Sequence, residues 1–206
     1  YRFNELAGDA TFMGEPTNPL YYKKQFEDRG FRYFNHYVSG IRSNYNTILP
    51  YTAEADSMGN YHVRSININD YENELITLHA LQMKVFAGTS DYFVPFSREE
   101  LLYWYLPLKN KINVRYVEIL IHRDQPVGFC YSFVEGNKLI MKTIGLIPEV
   151  RATGASKILI HSQHQKASED KLEAVIYALV RTGNVVSKMP YPGVEIFRNY
   201  FTMVKA

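Results

Sequence analysis

A chain of 206 residues with 46% hydrophobic and 21% charged residues has ordinary globular composition, which excludes collagen-like, coiled-coil and largely disordered chains and leaves room for one large domain. Its 23 Lys+Arg and 21 Asp+Glu give a net charge of +2 spread along the chain, with no basic stripe, so nucleic acid is not an expected partner. The longest apolar run, Ala174 to Val180, is far shorter than the roughly 18–20 residues of a membrane span, and the first residues lack the basic-then-apolar order of a secretory signal; a soluble, cytoplasmic chain with no membrane partner is expected.

In chain order, Leu20 to Arg29 reads as a short helix closed by Gly30, and Phe31 to Val38 has the aromatic and β-branched content of a strand. From Ser39 to Asn60 the composition turns to Ser, Asn, Thr, Gly, Pro and Asp, so residues 42–60 read as a linker. A strand at Tyr61 to Ile66 and an Asn69 or Asp70 cap open a helix through about Phe86, and Ser97 with Glu100 three residues later matches the capping box of a second helix to about Leu106. Strands at Val114–His122, Pro126–Val134 and Lys138–Ile147 are joined by segments short enough for antiparallel hairpins. A third helix from Gly154 to about Ala167 places Ala155, Ile158, Leu159 and Ser162 on one face; Leu172 to Val180 then reads as a doubly buried strand, parallel to the one before the helix, and Val194 to Lys205 as a closing strand.

Cys130, the only cysteine, lies in an apolar segment and reads as a buried small hydrophobe, so neither an intramolecular disulfide nor a multi-cysteine zinc site is available. His161 and His164 have a helical spacing that chelates metal, but no carboxylate or cysteine joins them; they read as a solvated face, and no metal is expected. The 17 Tyr and 12 Phe are scattered, which suits core and cleft lining.

The most informative stretch is Thr143 to Ile160, a strand running into a tight turn and an amphipathic helix. There Arg151-Ala-Thr-Gly-Ala-Ser156 would present successive backbone N–H groups at the positive end of the helix, where a pyrophosphate is stabilised, and Gly154 permits close approach of the backbone to phosphate oxygens. The pattern alone would arise by chance in roughly a third of chains this size. The preceding strand, Pro148 at its exit and the helix after it are the context such a motif requires.

With these residues the chain resembles the Gcn5-related N-acetyltransferase superfamily. Arg151-x-x-Gly154-x-Ser156 resembles that family's pyrophosphate loop, with Ser in place of the final Gly or Ala, and the resemblance continues through Ala174–Val180 to Asn184, where family members often carry an Asn that contacts the cofactor. It covers residues 61–206 as a complete acetyltransferase-like domain. Asn18 to Phe31 resembles the ending of a second such domain, making residues 1–41 a remnant of an upstream copy within a tandem parent. The absent initiator Met agrees with that expectation. The family's acid tyrosine falls on Phe26 in that remnant, which is therefore not expected to be catalytic.

The resemblance implies an α/β acyl-CoA N-acyltransferase fold, with a mixed, mostly antiparallel sheet of six or seven strands and flanking helices. It implies direct acyl transfer from acetyl-CoA to a small-molecule or peptide amine, with no metal, and a homodimer is compatible with it. Gly145, Leu146 and Ile147 would hold the pantetheine arm, and Arg151, Ala152, Thr153, Gly154, Ala155 and Ser156 the pyrophosphate. Tyr191 is the candidate acid, with a packed aromatic as the alternative; Glu135, Glu173 and Tyr177 are weaker candidates for the base; Trp104 either lines an acceptor pocket or packs in the core. The alternative function is a catalytically silent module that keeps the fold and binds acyl-CoA or a protein partner.

Overall fold

The computed structural model describes residues 2–5, 11–45, 60–86, 93–183 and 193–205. The chain divides into two compact units. The first comprises Tyr1–Tyr45, Glu135–Ile140 and Glu173–Ala206, and the second Asn46–Val134 and Met141–Leu172.

In the first unit, β1 (Arg2–Asn4), β2 (Phe31–Arg42), β7 (Ala174–Arg181) and β8 (Glu195–Lys205) lie in the order β1-β8-β2-β7. Every neighbouring pair is antiparallel. The aromatic run predicted to be a strand is one, and it continues four residues further, through Ser39-Gly-Ile-Arg42, where the composition already turns and the expected linker begins at residue 42. Pairing along both edges, with β7 and β8, holds Ser39 and Gly40, weak strand formers, in the sheet. Short helix α1 (Tyr21–Glu27) precedes β2, and Phe26 packs edge-on against Phe3 and Phe31. Inside this unit the Glu15 carboxylate accepts hydrogen bonds from the Tyr200 hydroxyl at 2.6 Å, Arg198 Nε at 3.1 Å and the Thr11 hydroxyl at 2.7 Å. Burial alone would raise the Glu15 carboxyl, but these bonds and the Arg198 charge outweigh it and hold the group below its ordinary value.

The second unit holds β3 (Tyr61–Ser65), β4 (Val117–His122), β5 (Gln125–Glu135) and most of β6 (Lys138–Leu146), in the order β6-β5-β4-β3. Helices α2 (Tyr71–Phe86), α3 (Arg98–Tyr105) and α4 (Ser156–Glu169) complete it. The capping box is present in full: Ser97 Oγ accepts from the Glu100 N–H and the Glu100 carboxylate accepts from the Ser97 N–H. The cap near α2 is Asn67 rather than Asn69 or Asp70. Its side chain accepts the Asn69 N–H and opens a 3₁₀ turn, Ile68–Asp70, that runs directly into α2. A second such turn, Val114–Tyr116, occupies what reads from sequence as the start of β4, with Asn113 as its cap. The β4–β5 loop is the two residues Arg123-Asp124, both at positive φ, one residue shorter than expected.

Alternation along β4 sends Val117, Ile119 and Ile121 into a core with Leu75, Leu78, Leu81 and Val85 of α2 and Leu101 of α3. Glu118 faces the other way and is fully buried. Its carboxylate is met by Lys166 Nζ at 2.5 Å, Ser162 Oγ at 2.5 Å and Gln163 Nε2 at 2.7 Å, all from α4. Cys130, directly opposite Glu118 on β5, is buried as expected, and burial pushes its thiol up to about 12. No described helix is long and apolar enough to cross a membrane.

Candidate functional site

Strand β6 delivers the chain to the predicted loop. A Cβ on Gly145 would stand 2.6 Å from Val85 Cγ1 and 3.1 Å from the Phe129 ring, so only glycine lets β6 lie this close to the last turn of α2. One residue past the strand, the Ile147 N–H donates to the Val127 carbonyl at 2.9 Å, and Pro148 then opens a 3₁₀ segment, Pro148–Thr153, that ends at Gly154 with φ +79°. This left-handed conformation accounts for the glycine. Fully buried Ala155 and buried Ser156 seat the start of α4, so Ser in place of Gly or Ala fits at the helix entrance.

Arg151 is part of this turn's frame. Its Nε donates to the Leu146 carbonyl at 3.0 Å and its Nη2 to the Val85 carbonyl at 2.6 Å. Thr153 Oγ1 likewise donates to the Val150 carbonyl at 2.8 Å. These side-chain donors therefore serve the chain's own backbone, and what the connection offers an anion is main-chain N–H at a helix start.

Gly145, Leu146, Ile147, Arg151, Ala152, Thr153, Gly154, Ala155 and Ser156 thus form one continuous strand–turn–helix connection. Asn184 and Tyr191 lie outside the described residues. Glu135 is tied to a backbone, its Oε2 accepting the Met13 N–H at 2.6 Å. Glu173 is exposed and precedes β7 instead of sharing one of its faces with Tyr177. Tyr177 is buried, which pushes its phenol up to about 12 against the lowering influence of Arg42. Two readings of α4 are corrected. Of the expected face Ala155 and Leu159 are fully buried, but Ile158 and Ser162 are only partly so, and the buried stripe of the helix continues through Ile160, Gln163, His164 and Ala167; His164 is buried while His161 is exposed. Glu118 draws Ser162 and Gln163 of α4 inward through hydrogen bonds. Trp104 is 50% exposed and leans on Phe96, so it neither packs in the core nor lines the cavity described next.

The sequence did not single out a cavity of about 90 Å³ in the second unit, between α2, α3 and strands β4 to β6. Leu75, Leu78, Leu101 and Phe129 supply apolar wall, and Gln82, Tyr105, Tyr131 and Thr143 supply polar atoms. No charged residue lines it. The phenols of Tyr71, Tyr105 and Tyr131 converge: burial, then the neighbouring phenols, push Tyr71 up to about 12, and burial followed by Tyr105 raises Tyr131. The Tyr71 hydroxyl donates to the Tyr105 carbonyl at 3.2 Å. These residues come from four elements and share no linear motif, so only their alternation within helices and strands was visible beforehand.

No family model matches the sequence, and no curated protein matches it. Solved structures do. The chain is similar to a GCN5-related N-acetyltransferase from Sphaerobacter thermophilus, with a TM-score of 0.63 and 13% identity over 88% of this chain and 55% of that one. It is similar to a glucosamine N-acetyltransferase region of a fungal multi-domain β-N-acetylglucosaminidase, at 0.63 and 12% over 89% and 22%. A tandem GNAT protein from the clavulanic acid biosynthesis pathway gives 0.57 and 8% over 93% and 60%. The chain therefore spans about half the length of the first of these proteins and about a fifth of the second. At such identities the likeness is one of fold: a mixed α/β chain with eight strands, mostly antiparallel, and flanking helices, the acyl-CoA N-acyltransferase fold of the GNAT acetyltransferases.

Proposed function

We propose that this chain is an acyl-CoA-dependent N-acyltransferase that uses acetyl-CoA and a small-molecule or peptide amine, as one part of a tandem protein. The observation that carries the reading is the β6–Gly154–α4 connection on an acyltransferase fold. Its glycine is left-handed, its helix entrance is made of small residues, and Arg151 and Thr153 are turned onto the chain's own carbonyls. A pyrophosphate would be held by the backbone of residues 151–156 at the positive end of α4, and the pantetheine arm by the backbone of Gly145, Leu146 and Ile147, with Asn184 as a further contact.

Acetyl-CoA supplies the activated acyl group. The neutral amine attacks the thioester carbonyl, the C–N bond forms and the C–S bond breaks; the nitrogen gives up its surplus proton to a base or water, and the thiolate leaves as thiol with a proton for which Tyr191 is the candidate donor, itself reprotonated from solvent. The protein contributes proximity above all.

Calorimetric titration with acetyl-CoA tests this. Binding should be measurable and should be abolished in Gly154→Glu, whose carboxylate would face phosphate, while the variant keeps its cooperative unfolding. Unchanged affinity in that variant would sink the loop assignment. Acetyl-CoA binding without turnover on a broad amine panel would make the chain a silent binding module.

A further inference from the structure

We propose that the cavity between α2, α3 and strands β4–β6 receives the uncharged hydrocarbon part of the acceptor, so that the chain acts on small amines carrying a short aliphatic group rather than on polyamines or amino sugars. The acceptor role rests on the function proposed above; occupancy of the cavity by hydrocarbon does not.

Three observations carry it. The lining holds no charge, whereas a bound ammonium or a chain of them would need carboxylates once taken out of water. The volume of about 90 Å³ is smaller than the ~150 Å³ of an apolar cavity that accepts benzene. It therefore suits a short hydrocarbon group, and its mostly apolar wall offers a ring of hydroxyls few partners. Polar atoms are few: the side chains of Gln82, Tyr105, Tyr131 and Thr143 make no hydrogen bond to a described residue, leaving them to orient one neutral polar group.

Position adds a fourth argument. Thr143 shares a face of β6 with Gly145 two residues on, a separation of about 7 Å along a strand. One wall of the cavity is thus the strand assigned to the pantetheine arm, on the side away from the pyrophosphate turn.

The test is titration of the whole chain with 3-methylbutylamine, followed by NMR at the methyl groups of Leu75, Leu78 and Leu101, beside spermidine and glucosamine. The methyl signals should shift with 3-methylbutylamine, the neutral 3-methylbutan-1-ol should displace it, and Leu78→Phe should weaken it at least tenfold while acetyl-CoA affinity stays within twofold. Should Leu78→Phe fail to fold, displacement by the alcohol on the unaltered chain decides. Tighter binding of spermidine or glucosamine, or methyl signals that do not move, would overturn the proposal. If acetyl-CoA does not bind while the alcohol still shifts the methyls, the acyltransferase reading falls and the hydrocarbon cavity stands.

Discussion

The Arg151 guanidinium donates to the Val85 carbonyl at 2.6 Å, tying the turn after β6 to the last turn of α2. With its bond to Leu146 O at 3.0 Å, one side chain secures carbonyls from two elements that meet only through tertiary structure. Charged hydrogen bonds of this kind contribute about 1.5–3 kcal/mol each. Arg151→Ala should lower stability by a few kcal/mol in denaturant titration and weaken acetyl-CoA through a loosened turn. Arg151→Lys, with a single ammonium in place of a fork, should recover little of the loss. A midpoint unchanged in both variants would show that the tie is not stabilising.

Gly154, at φ +79°, sets a second expectation. A β-branched residue in that conformation costs about 1–2 kcal/mol or more, whereas Asn tolerates it better. Gly154→Val should therefore lower the melting temperature more than Gly154→Asn does. Equal losses would mean that space around the residue, rather than its backbone angle, selects glycine.

Glu118 and Lys166 form an ion pair whose carboxylate side chain is wholly inaccessible. Removing one partner strands the other charge, at about 3–5 kcal/mol, and replacing both with apolar residues is far milder. Glu118→Leu alone should unfold at markedly lower denaturant, and adding Lys166→Met should restore part of the loss. Additive losses in this double-mutant cycle would refute coupling across the β4–α4 interface.

The Glu15 carboxyl lies below its ordinary value of 4.5 in the folded chain. A depressed carboxyl contributes stability that is complete above the unfolded value and is lost as pH falls through the folded one. Between the unaltered chain and Glu15→Gln, the difference in melting temperature should be constant at neutral pH and shrink below about pH 4.5. A difference that grows on acidification would reverse the assignment.

The elements that sequence made legible are those fixed by near neighbours. Ser97 and Glu100 specify a helix start within four residues, and the β4–β5–β6 meander is set by alternation and short turns. The glycine turn between β6 and α4 is legible for the same reason, because its chemistry and its context are contiguous. What escaped depends on distant partners. Strand β1 has three residues and exists through pairing with β8. Ser39 and Gly40, near the end of β2, are poor strand formers held between two other strands. Buried Gln163 looks like a solvent-facing residue until Glu118 is seen opposite α4, and the burial of His164 has no local signal either. The role of Arg151 was likewise hidden, since nothing local shows that its side chain reaches α2.

The place of β2 between β7 and β8 has a consequence for synthesis. Ser39 and Tyr200 touch across 161 residues of chain, so on the ribosome β2 emerges with both of its edges bare and waits for the whole second unit to be made. Unpaired edges recruit other strands, and long-range pairings form slowly. The second unit is free to collapse during that interval around contacts of its own. The period in which the nascent chain is most open to aggregation, or to a chaperone, thus ends only when residues 195–205 leave the exit tunnel and slot in beside β2.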